Sequence, residues 1–207
     1  MVHYLTSSVT QVLLFSFIPF LVYLIQKKKL KGFFSYIGLK RSNRKANQFA
    51  LFIALLIAFP LLMLAKYHDG FREAMLHPSS VSGSIRLIGD NTLMMVAILF
   101  TAVFKTALAE EIFFRGFVAK RLIALLGFTA GNIVQAIIFG ALHSVLFYFI
   151  GISDNIFFLS IFFIVPTFGA WFKAFINEKM ANGSIIPGWI AHGTANVISY
   201  SYIAFYV

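Results

Sequence analysis

Residues 101–121 read TAVFKTALAEEIFFRGFVAKR, an apolar run that would pass for a membrane span were Glu110, Glu111 and Arg115 not inside it. An ionised side chain in hydrocarbon costs at least ~2.5–3.5 kcal/mol on insertion scales, so charges this close together persist only where they face a polar cavity or one another. The stretch therefore makes two demands. Its surroundings must be a membrane bundle, and its charges must meet partners inside that bundle.

The rest of the chain agrees with the first demand. It has 207 residues, 60% of them hydrophobic and 12% charged, with a mean hydropathy of +0.87, which is too apolar for an ordinary soluble domain. The fold class expected is all-α, a polytopic membrane helix bundle of about six transmembrane helices with a polar site within the membrane. The spans fall near Ser8–Gln26, Gln48–Ala65, Thr92–Leu126, Ala130–Ile150, Asn155–Ile176 and Ser184–Val207. The third is too long for one crossing, and its basic end, Lys120 and Arg121, is expected to project into the cytoplasm. With no internal repeat and no low-complexity segment, residues 1–207 read as a single transmembrane domain. The first span reads as retained, because a basic cluster follows it where a signal peptide would carry a small-residue cleavage site.

Charge supplies orientation. The net charge of +10 does not call for nucleic acid as a partner, since the basic residues lie between apolar runs where they set topology. The first connection holds Lys27, Lys28, Lys29, Lys31, Lys40, Arg41, Arg44 and Lys45, and the connection before the last span adds Lys173 and Lys179. The other side has only Lys66, Arg72 and Arg86. Positive-inside then expects a multi-pass cell-membrane protein with both termini extracytoplasmic. Lys105 stays in the membrane near the outer side, with Asp154 as a candidate partner. Within the basic connection, KGFFSYIGLKR mixes aromatics with cations and would suit an interfacial helix on an anionic leaflet. The Tyr67–Asn91 connection is the most polar external piece, and its His68 and His77 read as solvated loop residues.

Helix geometry divides the central charges. Glu111 and Arg115 are four apart with the acid first, the order in which the two side chains meet on one face. Glu110 points about 100° away and is free for another partner. The following helix runs back from a turn near Leu126–Thr129. Counting from that turn puts Glu110 and His143 each ~23–26 Å along their helices at ~1.5 Å per residue, so the two can meet. Gln135, Phe139 and His143 form one stripe at four-residue spacing. The last span adds His192 and Asn196, also four apart, in a stretch opened by Pro187 and loosened by Gly188 and Gly193.

A carboxylate with an imidazole can hold and deprotonate a water, while a second imidazole and an amide can donate to a developing oxyanion. These are the parts of water-activated amide hydrolysis. The chain has no cysteine, which removes disulfides, thiol nucleophiles and thiolate metal sites. It has no GxSG-like serine, no paired membrane aspartates and no HExxH, and Ser144 points away from His143, so serine, aspartyl and HExxH metalloprotease chemistries are disfavoured.

These residues carry a family resemblance. Glu110-Glu111-Ile-Phe-Phe-Arg115 resembles the EExxxR motif of the CPBP family, the CAAX-protease and bacteriocin-processing (Abi) membrane proteins. Phe139-Gly-Ala-Leu-His143 is similar to its FxxxH motif and His192-Gly-Thr-Ala-Asn196 to its HxxxN motif, in the family's order. The similarity covers roughly residues 101–200, the expected catalytic core, and the first two spans carry no motif. The resemblance implies an intramembrane glutamic endopeptidase in which Glu110 and His143 activate water, His192 and Asn196 form the oxyanion site, and Glu111 and Arg115 support it. The resemblance carries no substrate with it, since members trim prenylated CAAX proteins, act on bacteriocin or pheromone peptides, or are linked to immunity. The compact size and the lack of cysteine favour a peptide or membrane-anchored protein substrate within the lipid bilayer, in bacteriocin or pheromone processing or in self-immunity.

Other readings compete. Glu111 and Arg115 alone could be a structural ion pair. His143, His192 and Glu110 could hold zinc with a metal-bound water as nucleophile, although the neighbouring Arg115 disfavours a cation and the expectation is no cofactor. Pro166 and Gly169 are expected to shape and pack the fifth span rather than touch substrate. A non-catalytic immunity or signalling protein is the alternative of another class, and a proton-coupled carrier lacks the inverted repeat such carriers show. The expected cleavage plane lies in the cytoplasmic half of the bilayer.

Overall fold

A computed structural model describes residues 2–207, and among these the chain is helical with no strand. Helix α1 is Val2–Lys27, α2 is the single turn Phe33–Tyr36, and α3 is Arg44–Tyr67. Two short helices follow, α4 at Asp69–Leu76 and α5 at Val81–Arg86. The apolar stretch Asn91–Phe149 is 59 residues long, twice what one crossing needs. It breaks at Gly127, whose φ of 76° and ψ of 167° leave the helical region, a conformation glycine enters without the strain a Cβ would bring. Its two limbs are α6, residues 91–126, and α7, residues 128–149. Helix α8, Ile156–Phe175, continues through a π turn at Ile176–Met180, and α9 is Ile186–Tyr206.

Four stretches are long and apolar enough to cross a membrane: Val2–Lys27, Arg44–Tyr67, Asn91–Phe149 and Ile156–Met180. Helix α9 is long enough at 21 residues, but His192, Asn196 and its serines dilute its hydropathy. The chain is thus a multi-pass membrane protein.

Limb ends meet in two layers. At the basic end, Ile185 N donates to Gly38 O at 2.9 Å and Ser184 Oγ to Lys40 O at 2.6 Å. Asn43 Nδ2 donates to Met180 O at 2.6 Å, and Lys120 Nζ pairs with Glu178 at 2.7 Å. The KGFFSYIGLKR stretch forms a single helical turn, Phe33–Tyr36, between Gly32 and Gly38 with φ of 100° and 78°, because the backbone beyond it is used to close the bundle's floor.

At the opposite end Phe71, Met75, Ile85, Ser80 and Ser82 are buried as α4 and α5 fold back over the bundle, while His68 and His77 lie between helices, His68 exposed. His68 Nδ1 accepts from Phe71 N at 3.1 Å, capping α4. His77 Nδ1 accepts from Ser79 N at 3.2 Å. Both histidines are consumed by local turns. Lys105 and Asp154 form no ion pair among the described residues.

Small residues set the packing. Ala46, Ala50, Ala54 and Ala58 recur every four positions on α3 and are buried, which brings α3 close to α9, as small residues do where lipid supplies no hydrophobic drive between helices. Gly140 does the same between α7 and α8, where a Cβ would strike Phe163 O and Thr167 Oγ1. Two amides of α7 reach the same neighbour: Asn132 Nδ2 donates to Trp171 O at 3.1 Å and Gln135 Nε2 to Ala170 O at 3.2 Å. Gln135 therefore serves the α7–α8 seam. Outward, Leu13, Phe17, Ile25 and Leu55 remain exposed, the faces lipid would cover.

Candidate active site

The middle of α6 is not an ordinary α-helix. It is π-helical over Phe100–Leu108 and again over Glu111–Ala119, a rare, wider turn that is frequent at functional sites. Between the two lie Ala109 and Glu110.

From here the two acids part company. Glu111 is fully buried, and three groups converge on its Oε1: Lys173 Nζ at 3.1 Å and Arg115 Nη1 at 3.4 Å as ion-pair contacts, and His192 Nδ1 as a hydrogen-bond donor at 3.2 Å. The Arg115 guanidinium also lies over the Phe139 ring, 4.0 Å from its centroid, a favourable cation–π placement in a desolvated setting. Lys173 Nζ is 5.0 Å from the centroid of that ring.

Glu110 turns the other way. Its Oε2 lies 3.9 Å from His143 Nε2 and 3.8 Å from His192 Nε2. The other nitrogen of each ring fixes its tautomer. His143 Nδ1 is 2.8 Å from Phe139 O; a carbonyl only accepts, so Nδ1 donates. His192 Nδ1 donates likewise to the Glu111 carboxylate at 3.2 Å. Both imidazoles thus turn Nε2 toward Glu110. Separations of 3.8–3.9 Å exceed a direct hydrogen bond, and they leave room for a bridging water that donates to Glu110 and to one imidazole Nε2.

Asn196 stands one turn beyond His192, and its Nδ2 donates to Thr106 Oγ1 at 2.9 Å. Thr106 in turn donates back to Thr101 O at 3.0 Å, so the amide is held by the first π-helical segment. The six sequence-derived residues, Glu110, Glu111, Arg115, His143, His192 and Asn196, therefore lie in one contiguous cluster.

A cavity of about 280 Å³ adjoins it, lined at one end by Thr106, Glu110, His143, Lys173, His192 and Asn196. Its other end is lined by Met75, Ser80, Val81 and Ser82 of the α4–α5 cover. The chamber thus reaches from the charged cluster to the α4–α5 cover, at the end of the bundle opposite the basic floor. Pro166 and Gly169 line the chamber, and Gly169 also packs α8 against Ile57 of α3. The motif-free α3 supplies Ile57 and Leu61 to the same wall.

Two residues of the cluster escaped the sequence reading. Lys173 was counted with the basic connection, yet it is 3% exposed and inside the bundle. Thr106 carried no signal beyond being a threonine in an apolar helix. Ser144 Oγ donates to Leu159 O at 2.9 Å across the α7–α8 seam, away from the site. Among the described residues no three His, Asp or Glu side chains group closely enough to hold a metal ion.

Glycine makes room for the cluster. A Cβ on Gly188 would come within 2.7 Å of both Glu111 Oε2 and Asn177 Nδ2, while Gly188 N donates to Asn177 Oδ1 at 2.9 Å.

Comparison with known proteins bears on the same region. Residues 92–198 match the model of a protein family described as type II CAAX prenyl endopeptidase Rce1-like, a stretch that includes everything from Thr106 to Asn196. No curated protein and no solved structure matches the chain.

Proposed function

We propose, from the premise that the chain belongs to the Rce1-like type II CAAX prenyl endopeptidase family, itself part of the CPBP family, that it hydrolyses its substrate with a water activated by Glu110. The carrying observation is one carboxylate oxygen with two imidazole Nε2 atoms at 3.9 and 3.8 Å. A water bound there loses its proton to Glu110, with His143 Nε2 as its second contact, while its oxygen attacks the scissile carbonyl. Glu110 hands that proton to His192 Nε2, 3.8 Å away, and the charged imidazole together with Asn196 Nδ2 donates to the oxyanion that forms. The proton then passes to the amide nitrogen as the C–N bond breaks, leaving a carboxylic acid and an amine.

Phe139 packed on the His143 ring and the chamber walls Phe147 and Phe162 keep the surroundings apolar, which strengthens each of these interactions. Arg115 and Lys173 beside the cluster disfavour a dication, which supports the metal-free reading over zinc on Glu110, His143 and His192. The substrate proposed is a peptide or a membrane-anchored protein whose chain enters the chamber. The cellular role proposed is processing of bacteriocin or pheromone peptides, or self-immunity, in the cell membrane with both termini extracytoplasmic.

The test is cleavage by purified protein of candidate peptides, prenylated CAAX peptides included. Glu110→Ala and His143→Ala should each abolish cleavage while the protein stays folded. Retained cleavage in both would remove the assignment in favour of a non-catalytic immunity or signalling role for the cluster.

A further inference from the structure

Lys173 comes from α8, the one helix of the cluster that carries none of the three motifs. It is 3% exposed, and a buried lysine persists only with a partner or a task. Its amine sits 3.1 Å from Glu111 Oε1, the oxygen that also accepts from His192 Nδ1 at 3.2 Å. Arg115 already faces the same oxygen at 3.4 Å, so neutralising one carboxylate does not by itself explain a second buried cation. Charge over the whole cluster does. With neutral imidazoles, Glu110 and Glu111 balance Arg115 and Lys173, whereas without Lys173 one carboxylate is left uncompensated in a low-dielectric site. Lys173 also differs from Arg115 in place, for it lines the chamber and Arg115 does not.

We infer that Lys173 is a positioning residue for the hydrolytic reaction: it clamps Glu111 Oε1 from α8, and through that oxygen fixes the His192 ring with Nε2 aimed at Glu110. The inference rests on the proposed function, since it gives Lys173 no role without catalysis by Glu110. Lysine suits this better than a second arginine, because one compact donor can share an oxygen with two others where a planar fork would displace them.

The experiment uses the full chain, purified in detergent, cleaving a peptide on which wild type is active. Lys173→Met keeps length and apolar volume while removing the amine. It should lower kcat by at least about tenfold, in line with the losses that follow small misplacements of reacting groups, while KM stays within about twofold. Lys173→Arg should recover part of kcat, because a cation again faces Glu111. In the double variant Lys173→Met with Glu111→Gln, kcat should fall no further than in Glu111→Gln alone, since both act through one oxygen.

A Lys173→Met enzyme with wild-type kcat overturns the inference. So does a rise in KM alone, which would make Lys173 a substrate contact, or losses that multiply in the double variant. Thermal unfolding of each variant separates a folding defect from a catalytic one. If Lys173→Met fails to fold, Lys173→Arg carries the test, and wild-type KM with reduced kcat is then the expected result. Glu110→Gln measured beside them keeps the two claims apart. Inactive Glu110→Gln with unimpaired Lys173→Met refutes only the role of Lys173, whereas active Glu110→Gln refutes the water-activation reading beneath it.

Discussion

Gly188→Ala adds one methyl group at the most crowded point of the site. The new Cβ would lie 2.7 Å from Glu111 Oε2 and from Asn177 Nδ2, where ordinary contact begins at 3.4 Å, so something must yield by about 0.7 Å. Neither neighbour is a free flexible tip. Glu111 is held through its other oxygen by Lys173, His192 and Arg115, and Asn177 accepts from Gly188 N. Overpacking of this kind costs about 1–3 kcal/mol. A displacement approaching 1 Å near reacting groups lowers rate by up to about 10²-fold, so kcat/KM should drop about 10- to 100-fold. Gly193→Ala on the same helix is the control, because its Cβ would find Val103 and Ala107 at 3.7–3.9 Å. That variant should keep activity and gain about 0.5–1 kcal/mol from the entropy glycine loses in a helix. Peptide cleavage with thermal unfolding in detergent reads both quantities. Equal behaviour of the two alanine variants would refute the packing argument.

Three further outcomes follow from the same contacts. Thr106→Val removes the oxygen that accepts from Asn196 Nδ2, which should cost about 1 kcal/mol of stability; a similar loss of oxyanion stabilisation through the loosened amide would lower kcat about fivefold, at about 1.36 kcal/mol per tenfold, measured by steady-state kinetics. Arg115→Met strips a buried partner from Glu111 and a cation from the Phe139 face, and should destabilise by about 3–5 kcal/mol, seen as a large drop in unfolding temperature; an unchanged transition would show the pair contributes little. Prolonged dialysis against a strong chelator should leave cleavage intact under the metal-free reading, while loss restored by zinc would assign Glu110, His143 and His192 as ligands.

The motifs were legible because each is a local spacing of polar groups on an apolar helix. Glu110 and Glu111 are adjacent and so must face apart, and His192 and Asn196 are four apart and so must share a face. Counting residues outward from the turn brought Glu110 level with His143, and they stand 3.9 Å apart even though π-helical segments flank the acid. Lys173 was not legible. A cation a few residues from the end of an apolar span reads as an orientation signal, and what buries it is the packing of α8 against Glu111 of α6 and Phe139 of α7, a tertiary outcome. Thr106 was silent for a different reason: a threonine satisfied by its own helix looks the same with or without Asn196 across from it. The α4–α5 cover was hidden by its polar composition, because Ser80 and Ser82 are buried with Ser80 Oγ bonded to Met75 O at 2.6 Å, and composition does not reveal where a hydroxyl finds its partner.

The central claim is that Glu110 activates the attacking water, and Glu110→Gln tests it most directly. The substitution keeps shape and removes the base. Single-turnover cleavage of a bound peptide, with enzyme in excess, isolates the chemical step from binding and release. The account predicts a fall of about 10²–10⁴-fold, the range general-base catalysis contributes, with peptide affinity and unfolding temperature near wild type. A single-turnover rate within about twofold of wild type would contradict it.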